Sequence, residues 1–285
     1  MKLSIIGRGR NDNYGSHYIE RTNFCLRKHI LNFQSLGLTP NDVEIVFVDW
    51  GSVIPLYTKL TQNCYGFVRY IVVPPEIARN YDPVETGFNF VHNINLGIRR
   101  CLGEYILHFD FDSFIYQNSM LNLWSYINQN DAQNYQNYFS RFCINQESYI
   151  HKLLTPNIEE LKDGLYHKLG LLQIDNPGVF YGGSIGVMCS RKAWFDVGGY
   201  DERYIYWGNQ DVDLFTRFYN YGLPGKDLWK TNNIIFVHLE HDHHKLHGRY
   251  DNSNLNLNYR NPDRGINPNG PNWGLSDQIF EEVIL

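Results

Sequence analysis

Apolar positions fall into short unbroken runs, separated by polar breaks and by longer stretches with a helical period. Residues 3–6 form the first run and open into Gly7-Arg8-Gly9-Arg10, which predicts a buried strand ending in a polar loop. From about 17 to 36, apolar residues recur at Cys25, Leu26, Ile30 and Phe33 with charges between them, a helix stopped by Gly37 and Pro40. Residues 43–48 predict a second strand, ending at Asp49-Trp50-Gly51-Ser52, and 68–73 a third, closed by Pro74-Pro75. A helix over 90–101 precedes a fourth strand, 105–109, which runs straight into Asp110-Phe111-Asp112. Strand and helix in alternation predict a parallel α/β sheet. In such sheets ligands bind beyond the carboxyl ends of the strands, where Arg8, Arg10, Asp49, Asp110 and Asp112 all fall.

The second half is less regular. A helix over 118–128 and a strand over 138–144 are followed by a mixed segment, 146–178, rich in Asn, Pro and Gly and expected as an insertion near the site. Gly182-Gly183 precedes an apolar strand over 185–189, and a last core strand, 234–237, ends in a histidine-rich stretch. From Gly248 onward the Asn-, Pro- and Gly-rich tail is expected to wrap the surface as loop. The chain is expected to be one domain over 1–285: a nucleotide-binding half (1–115), an acceptor and catalytic half (116–247) and a loop-rich tail (248–285).

Composition adds exclusions. A net charge of −5 argues against a nucleic-acid binder, which would show a basic excess. Five cysteines without a CxxC pair suggest neither a zinc knuckle nor a disulfide framework, and point to reduced thiols in a cytoplasmic setting. The apolar part of the N-terminus is too short for a signal peptide, and no apolar run approaches membrane-spanning length.

Two stretches carry candidate chemistry. Alternate side chains of a strand share a side, so Asp110 and Asp112 can hold a hard divalent cation that neutralises a diphosphate. Residues 197–214 combine the Gly198-Gly199 turn, the acidic pair Asp201 and Glu202, Trp207-Gly208, and Asp211 and Asp213 opening a helix with Asn209 as N-cap. By itself an Asp-x-Asp at a helix start is a capped surface helix. A bulky aromatic beside it resembles a sugar platform with an acid or base at its edge.

In order along the chain, several motifs resemble the GT-A fold nucleotide-sugar glycosyltransferases. The match is to the inverting β-1,4-galactosyltransferase type and its chondroitin-polymerase and polypeptide GalNAc-transferase relatives. The matching pieces are Arg10-Asn11, Val48-Asp49 with Gly51-Ser52, Phe88-Asn89 with His92, Asn95-Leu96-Gly97 and Gly103-Glu104-Tyr105-Ile106. After them come Asp110-x-Asp112, Tyr181-Gly182-Gly183, Gly198-Gly199-Tyr200-Asp201-Glu202 and Trp207-Gly208-x-x-Asp211-x-Asp213, with His238 after the last strand.

The resemblance implies an α/β GT-A (Rossmann-like) fold with a central, mostly parallel mixed sheet flanked by helices. It implies that Arg8 and Arg10 line a uridine and phosphate pocket, that Asp49 accepts from the uracil N–H, and that Phe88 and His92 close around the base. Asp110 would touch the ribose or the metal, Gly183 would offer its backbone N–H to the diphosphate, and Tyr181, Trp207 and Gly208 would lie on the acceptor side. Asp112 and His238 would hold Mn²⁺ or Mg²⁺, with Asp110 and His241 as further candidates, and Asp211 would be the general base. Three departures stand out: Trp50 where the family often has a second Asp, His92 for Lys or Arg, and Gln210 for Glu.

Five of the eleven histidines lie in 238–247, and His238 is the favoured ligand because it directly follows the strand. Asp242-His243-His244 also matches the triplet of the DHH phosphoesterases, whose other acidic motifs are not evident near the N-terminus. The expected function is a metal-dependent inverting transfer of a sugar from a UDP-sugar to a hydroxyl of a carbohydrate or glycoconjugate acceptor. The alternatives are a nucleotidyltransferase, whose fuller Gly-rich loop is missing from 7–12, and a sugar-binding pseudo-transferase without activity. The position of Asp211 in the first turn of a helix predicts a lowered pKa.

Overall fold

The computed structural model describes residues 1–12, 15–60, 63–81, 88–116, 118–129, 131–144, 165–169, 172–173, 180–181, 184–205, 209–241 and 265–285. For 165–169, 172–173, 180–181 and 184–185 it describes the backbone alone.

Strands β1 (Leu3–Gly9), β2 (Val43–Trp50), β3 (Val68–Val73) and β4 (Tyr105–Phe109) form the parallel half of one large sheet. Their apolar runs are continuous because both faces are covered, as buried parallel strands require. Alternate residues face opposite layers: Leu3, Ile5, Ile45 and Phe47 pack in one core, and Ile6, Val46, Val48 and Trp50 in the other. Helix α1 (Tyr18–Ser35) covers the first face with Leu26, Ile30 and Phe33. The second face is covered by α3 (Phe90–Arg100), which follows the short α2 (Pro75–Asn80). Asn89 caps α3 by accepting from the backbone N–H of His92 at 2.9 Å.

Beyond β4 the sheet turns mixed. The short β5 (Ser113–Ile115), α4 (Ser119–Ile127) and β6 (Gln136–Ile144) follow, then β7 (Leu165–Leu169), β8 (Leu172–Gln173), β9 (Phe180–Tyr181) and β10 (Ser184–Ser190). Helices α5 (Arg191–Val197) and α6 (Gln210–Asn220) lead to β11 (Gly225–Asp227), α7 (Leu228–Asn232), β12 (Phe236–Leu239) and the terminal β13 (Glu281–Ile284). The strand order is β13-β3-β2-β1-β4-β10-β6-β12-β5, with β7 and β11 also on β6. Strand β10 is antiparallel to both β4 and β6, so the sheet is parallel around β1 and mixed towards β12.

The tail does more than wrap the surface. Its last residues add β13 to the β3 edge, and Trp273 and Leu275 enter the core beneath α3. The expected insertion over 146–178 lies largely outside the described residues. Among the described residues, no helix is long and apolar enough to cross a membrane.

Candidate active site

Strand pairing builds the first part of the site. Strand β5 follows Asp112 directly and runs antiparallel to β12, in a register that sets Ser113 against His238. The Leu239 N–H donates to the Asp112 carbonyl at 2.9 Å, so the two chain segments are fastened at that point. His238 Nε2 thereby lies 3.3 Å from Asp112 Oδ1, and His241 Nε2 lies 2.9 Å from Oδ2. All three side chains are buried, and one ligand atom from each falls within 4.8 Å of the others. Burial alone would raise the Asp112 pKa, but the two imidazoles hold the carboxyl well below the usual carboxylate range. One carboxylate and two imidazole nitrogens are a donor set suited to a first-row divalent cation, so the residues present fit a metal.

Gly15 backs this cluster. It has φ +64°, and a Cβ there would stand 2.4 Å from His241 Nδ1, so the close approach needs glycine. Buried Arg21 donates to the Gly15 carbonyl at 2.9 Å and brings its Nε to 4.0 Å from Asp112 Oδ2.

Asp110 is outside the three-residue cluster. Its two oxygens are held by Arg8 Nη2 and Arg141 Nη2, each at 2.8 Å. Burial opposes ionisation of Asp110, but Arg8 and Arg141 bring its pKa below the usual value. Arg8 also stacks over Phe90, 4.2 Å from the ring centre, and its Nη1 lies 2.7 Å from His108 Nε2. On the other side of that imidazole, Nδ1 lies 3.3 Å from the Tyr200 hydroxyl, which donates to Asp211 Oδ1 at 3.1 Å. A continuous polar path thus joins Asp110 to Asp211 through Arg8, His108 and Tyr200.

Asp211 occupies the first turn of α6 and is open to water, while protein surrounds it on its other sides. That surrounding protein desolvates the carboxyl, and the charge of Asp110 adds to the effect. Together they push its pKa up to about 6 against the pull of Tyr200, Arg8 and Arg141. The lowered value expected from the helix start is therefore corrected: desolvation and the charge of Asp110 raise it instead. Asn209 sits at the N-cap position in a left-handed conformation (φ 64°), but its side chain makes no capping bond. Asp213 turns inward and pairs with buried Arg217 at 2.9 Å.

Tyr200 is held with unusual completeness. Its N–H donates to Asn95 Oδ1 at 2.8 Å, and its carbonyl accepts from Asn95 Nδ2 at 2.8 Å and from Asn269 Nδ2 at 2.6 Å. Gly199 has φ +69°, and a Cβ on it would lie 2.5 Å from Asn95 Oδ1, so the Gly-Gly turn is what lets Asn95 reach the backbone.

The remaining expected residues divide. Arg10 pairs with Asp12 at 2.6 Å and approaches the Phe88 ring at 5.7 Å. Asp49 is fully enclosed, with Ser52 Oγ donating to one oxygen and the Leu56 N–H to the other at 2.6 Å. In this arrangement Asp49 organises the turn over 51–56, and a base could reach it only if that turn opened. His92 lies 3.9 Å from Glu202, and burial, opposed by Glu202, lowers its pKa, so it is neutral at pH 7. Gly183, Trp207, Gly208 and the side chain of Tyr181 lie outside the described residues. His108, Arg141 and Tyr200 had no expected role. A histidine within the apolar run Tyr105–Phe109, and an arginine inside Gln136–Ile144, were the available signals.

Residues 165–242 match the family model described as the N-terminal domain of galactosyltransferase, a stretch that contains Tyr200, Asp211, His238 and His241. No curated protein matches the chain. Among solved structures, S. aureus TarS aligns at TM-score 0.51 and 12% identity over 84% of this chain and 37% of that one. Its 1–349 structure aligns at TM-score 0.48 and 13% identity, over 84% of this chain and 60% of that one. The chain thus spans less than two thirds of either TarS structure. The likeness to TarS is one of fold, and the galactosyltransferase match covers residues 165–242 alone.

Proposed function

We propose that the protein is a metal-dependent, inverting glycosyltransferase that moves a sugar from a UDP-sugar to a hydroxyl of a glycan or glycoconjugate, with Asp211 as general base. The observation that carries this reading is the connected arrangement at one rim: the Asp112, His238 and His241 donors, the Arg8–Asp110–Arg141 ion pairs, and Asp211 at the end of the same polar path.

Asp112, His238 and His241 would hold the cation, Mn²⁺ or Mg²⁺. When bound, it would neutralise the diphosphate and stabilise the departing UDP. Arg8 and Arg10 bind the uridine diphosphate, Phe88 and His92 close on the base, and Asp110 meets the ribose. Asp49 accepts from the uracil N–H once the 51–56 turn gives way, and Gly183 offers its N–H to the diphosphate. Tyr181, Trp207 and Gly208 support the acceptor sugar.

Asp211 then takes the acceptor hydroxyl proton as that oxygen bonds to the anomeric carbon. The bond from that carbon to the phosphate oxygen breaks, and its electron pair leaves on UDP. One displacement inverts the anomeric configuration. A pKa of about 6 leaves Asp211 mostly ionised at pH 7 yet close enough to it for efficient proton transfer.

The chain acts in this reading as one domain over 1–285. Five free cysteine thiols support a cytoplasmic setting. The test is a screen for UDP release across UDP-sugars with Mn²⁺, followed by identification of the product. Release that depends on both metal and acceptor is expected, whereas nucleotide transfer to a sugar phosphate would replace this function with another.

A further inference from the structure

We propose that Tyr200 and His108 are positioning residues for Asp211, forming a one-directional hydrogen-bond relay that starts at Arg8 and fixes both the orientation and the ionisation of the base. The proposal rests on Asp211 being that base.

Direction follows from the chemistry of the groups. A guanidinium can only donate, so His108 Nε2, 2.7 Å from Arg8 Nη1, must accept. The ring proton of the neutral imidazole is then on Nδ1, 3.3 Å from the Tyr200 oxygen. With that oxygen accepting from His108, its own proton is free to go to Asp211 Oδ1 at 3.1 Å. Every link donates towards the carboxylate. Oδ1 is thus committed to Tyr200, and Oδ2 is left to receive a proton.

The relay is rigid where it needs to be. Tyr200 is 1% exposed, its backbone is clamped by Asn95 and Asn269, and its ring packs edge-on against Phe90 and His108. Its phenol is pushed well above its ordinary pKa by burial and by the charge of Asp211, so it stays a donor. Among the described residues, the other ionisable groups bearing on Asp211 are Asp110, Arg8, Arg141 and Tyr138. None of these four hydrogen-bonds the carboxylate; among the described residues Tyr200 does so. A structural tyrosine would need no such bond, since the backbone clamp and ring packing would hold it without the hydroxyl.

The test is a carbon-13 NMR titration of aspartate carboxyls in the full chain, with the Asp211 signal identified by its loss in Asp211→Asn. Tyr200→Phe keeps the ring and removes the donor, and should move the Asp211 midpoint up by about one pH unit, the size of a hydrogen bond to a charged group. His108→Leu should move it in the same direction by less, and His108→Asn, which can replace Nδ1–H, should restore it. If Tyr200→Phe does not fold, the two His108 variants carry the test. UDP affinity, read by calorimetry, should stay within about twofold of wild type in Tyr200→Phe. An unmoved midpoint in Tyr200→Phe and His108→Leu overturns the relay, whatever Asp211 does. Near-wild-type turnover of Asp211→Asn instead overturns the base assignment and the relay with it.

Discussion

Asp112 Oδ2 and His241 Nε2 meet at 2.9 Å although helices α4 to α7 and several strands lie between them in sequence. With His238 on the other carboxylate oxygen, the arrangement is a preformed donor set. Asp112→Ala should abolish Mn²⁺ binding, followed by the electron paramagnetic resonance of the free ion. His238→Ala and His241→Ala should each weaken it by more than the about 10–100-fold that loss of an outer-shell partner costs. Chelation should abolish transfer, and Mn²⁺ should restore it. Undiminished Mn²⁺ binding in Asp112→Ala would remove this cluster from consideration as the metal site.

Gly199 and Gly37 share a left-handed backbone, at φ +69° and +67°, but only Gly199 has a neighbour where a Cβ would go. Gly37→Ala should therefore cost only the left-handed penalty, about 1–2 kcal/mol. Gly199→Ala adds a collision with Asn95 and should lose about 2–4 kcal/mol, a typical overpacking cost on top of that penalty. Urea denaturation of the two variants separates the terms. Equal losses would show that the Asn95 clamp on Tyr200 yields freely.

His29 is fully buried among Phe33, Phe109 and Phe111, with Nε2 3.2 Å from the Ser113 carbonyl. Burial lowers its pKa to about 4, while the unfolded value is that of a free imidazole. A depressed folded pKa stabilises the fold above the unfolded value, and that stability is lost as pH falls from about 6.5 towards 4, by on the order of 3 kcal/mol. His29→Phe removes the titrating group, so its Tm should fall less steeply than wild type over that interval. Parallel curves would place the acid sensitivity elsewhere.

Much of the fold was legible because covered parallel strands must be apolar throughout. Residues 3–6, 43–48, 68–73 and 105–109 all read as strands for that reason, and α1 by its 3.6-residue period. Three-residue strands such as Ser113–Ile115 carry too few positions for a pattern. Strand β13 is four residues, Glu-Glu-Val-Ile, largely exposed at the sheet edge, and carries no run of buried apolar positions to announce it. At the site, residues adjacent to strand ends could be read locally. The Tyr200–His108–Arg8 path could not, because it depends on how β1, β4 and the segment after α5 come together. The Asp211 pKa failed as a local inference for the same reason: the helix start is a sequence feature, while Asp110 and the protein around the carboxyl are tertiary ones.

Trp207 stands between the Tyr200 turn and Asp211 in sequence, on the acceptor side of the proposed reaction. Trp207→Ala should raise the acceptor KM far more than it weakens UDP binding, because a stacking platform touches the sugar and not the nucleotide. Calorimetry with UDP checks this, and an equal loss on both sides would relocate the residue to the donor pocket.

Asp211→Asn bears most directly on catalysis by this rim. Asparagine keeps the shape and can still accept from Tyr200, but it cannot take the acceptor proton. Donor binding should survive, and turnover of the best UDP-sugar with Mn²⁺ and acceptor should fall by about 10²–10⁴-fold, the usual contribution of a general base. In the wild type, kcat should decline as pH drops through about 6, where Asp211 becomes protonated, and the product should carry the inverted anomeric configuration. Near-wild-type turnover in Asp211→Asn, or a product that retains configuration, would contradict the assignment of Asp211 as the base of a single displacement.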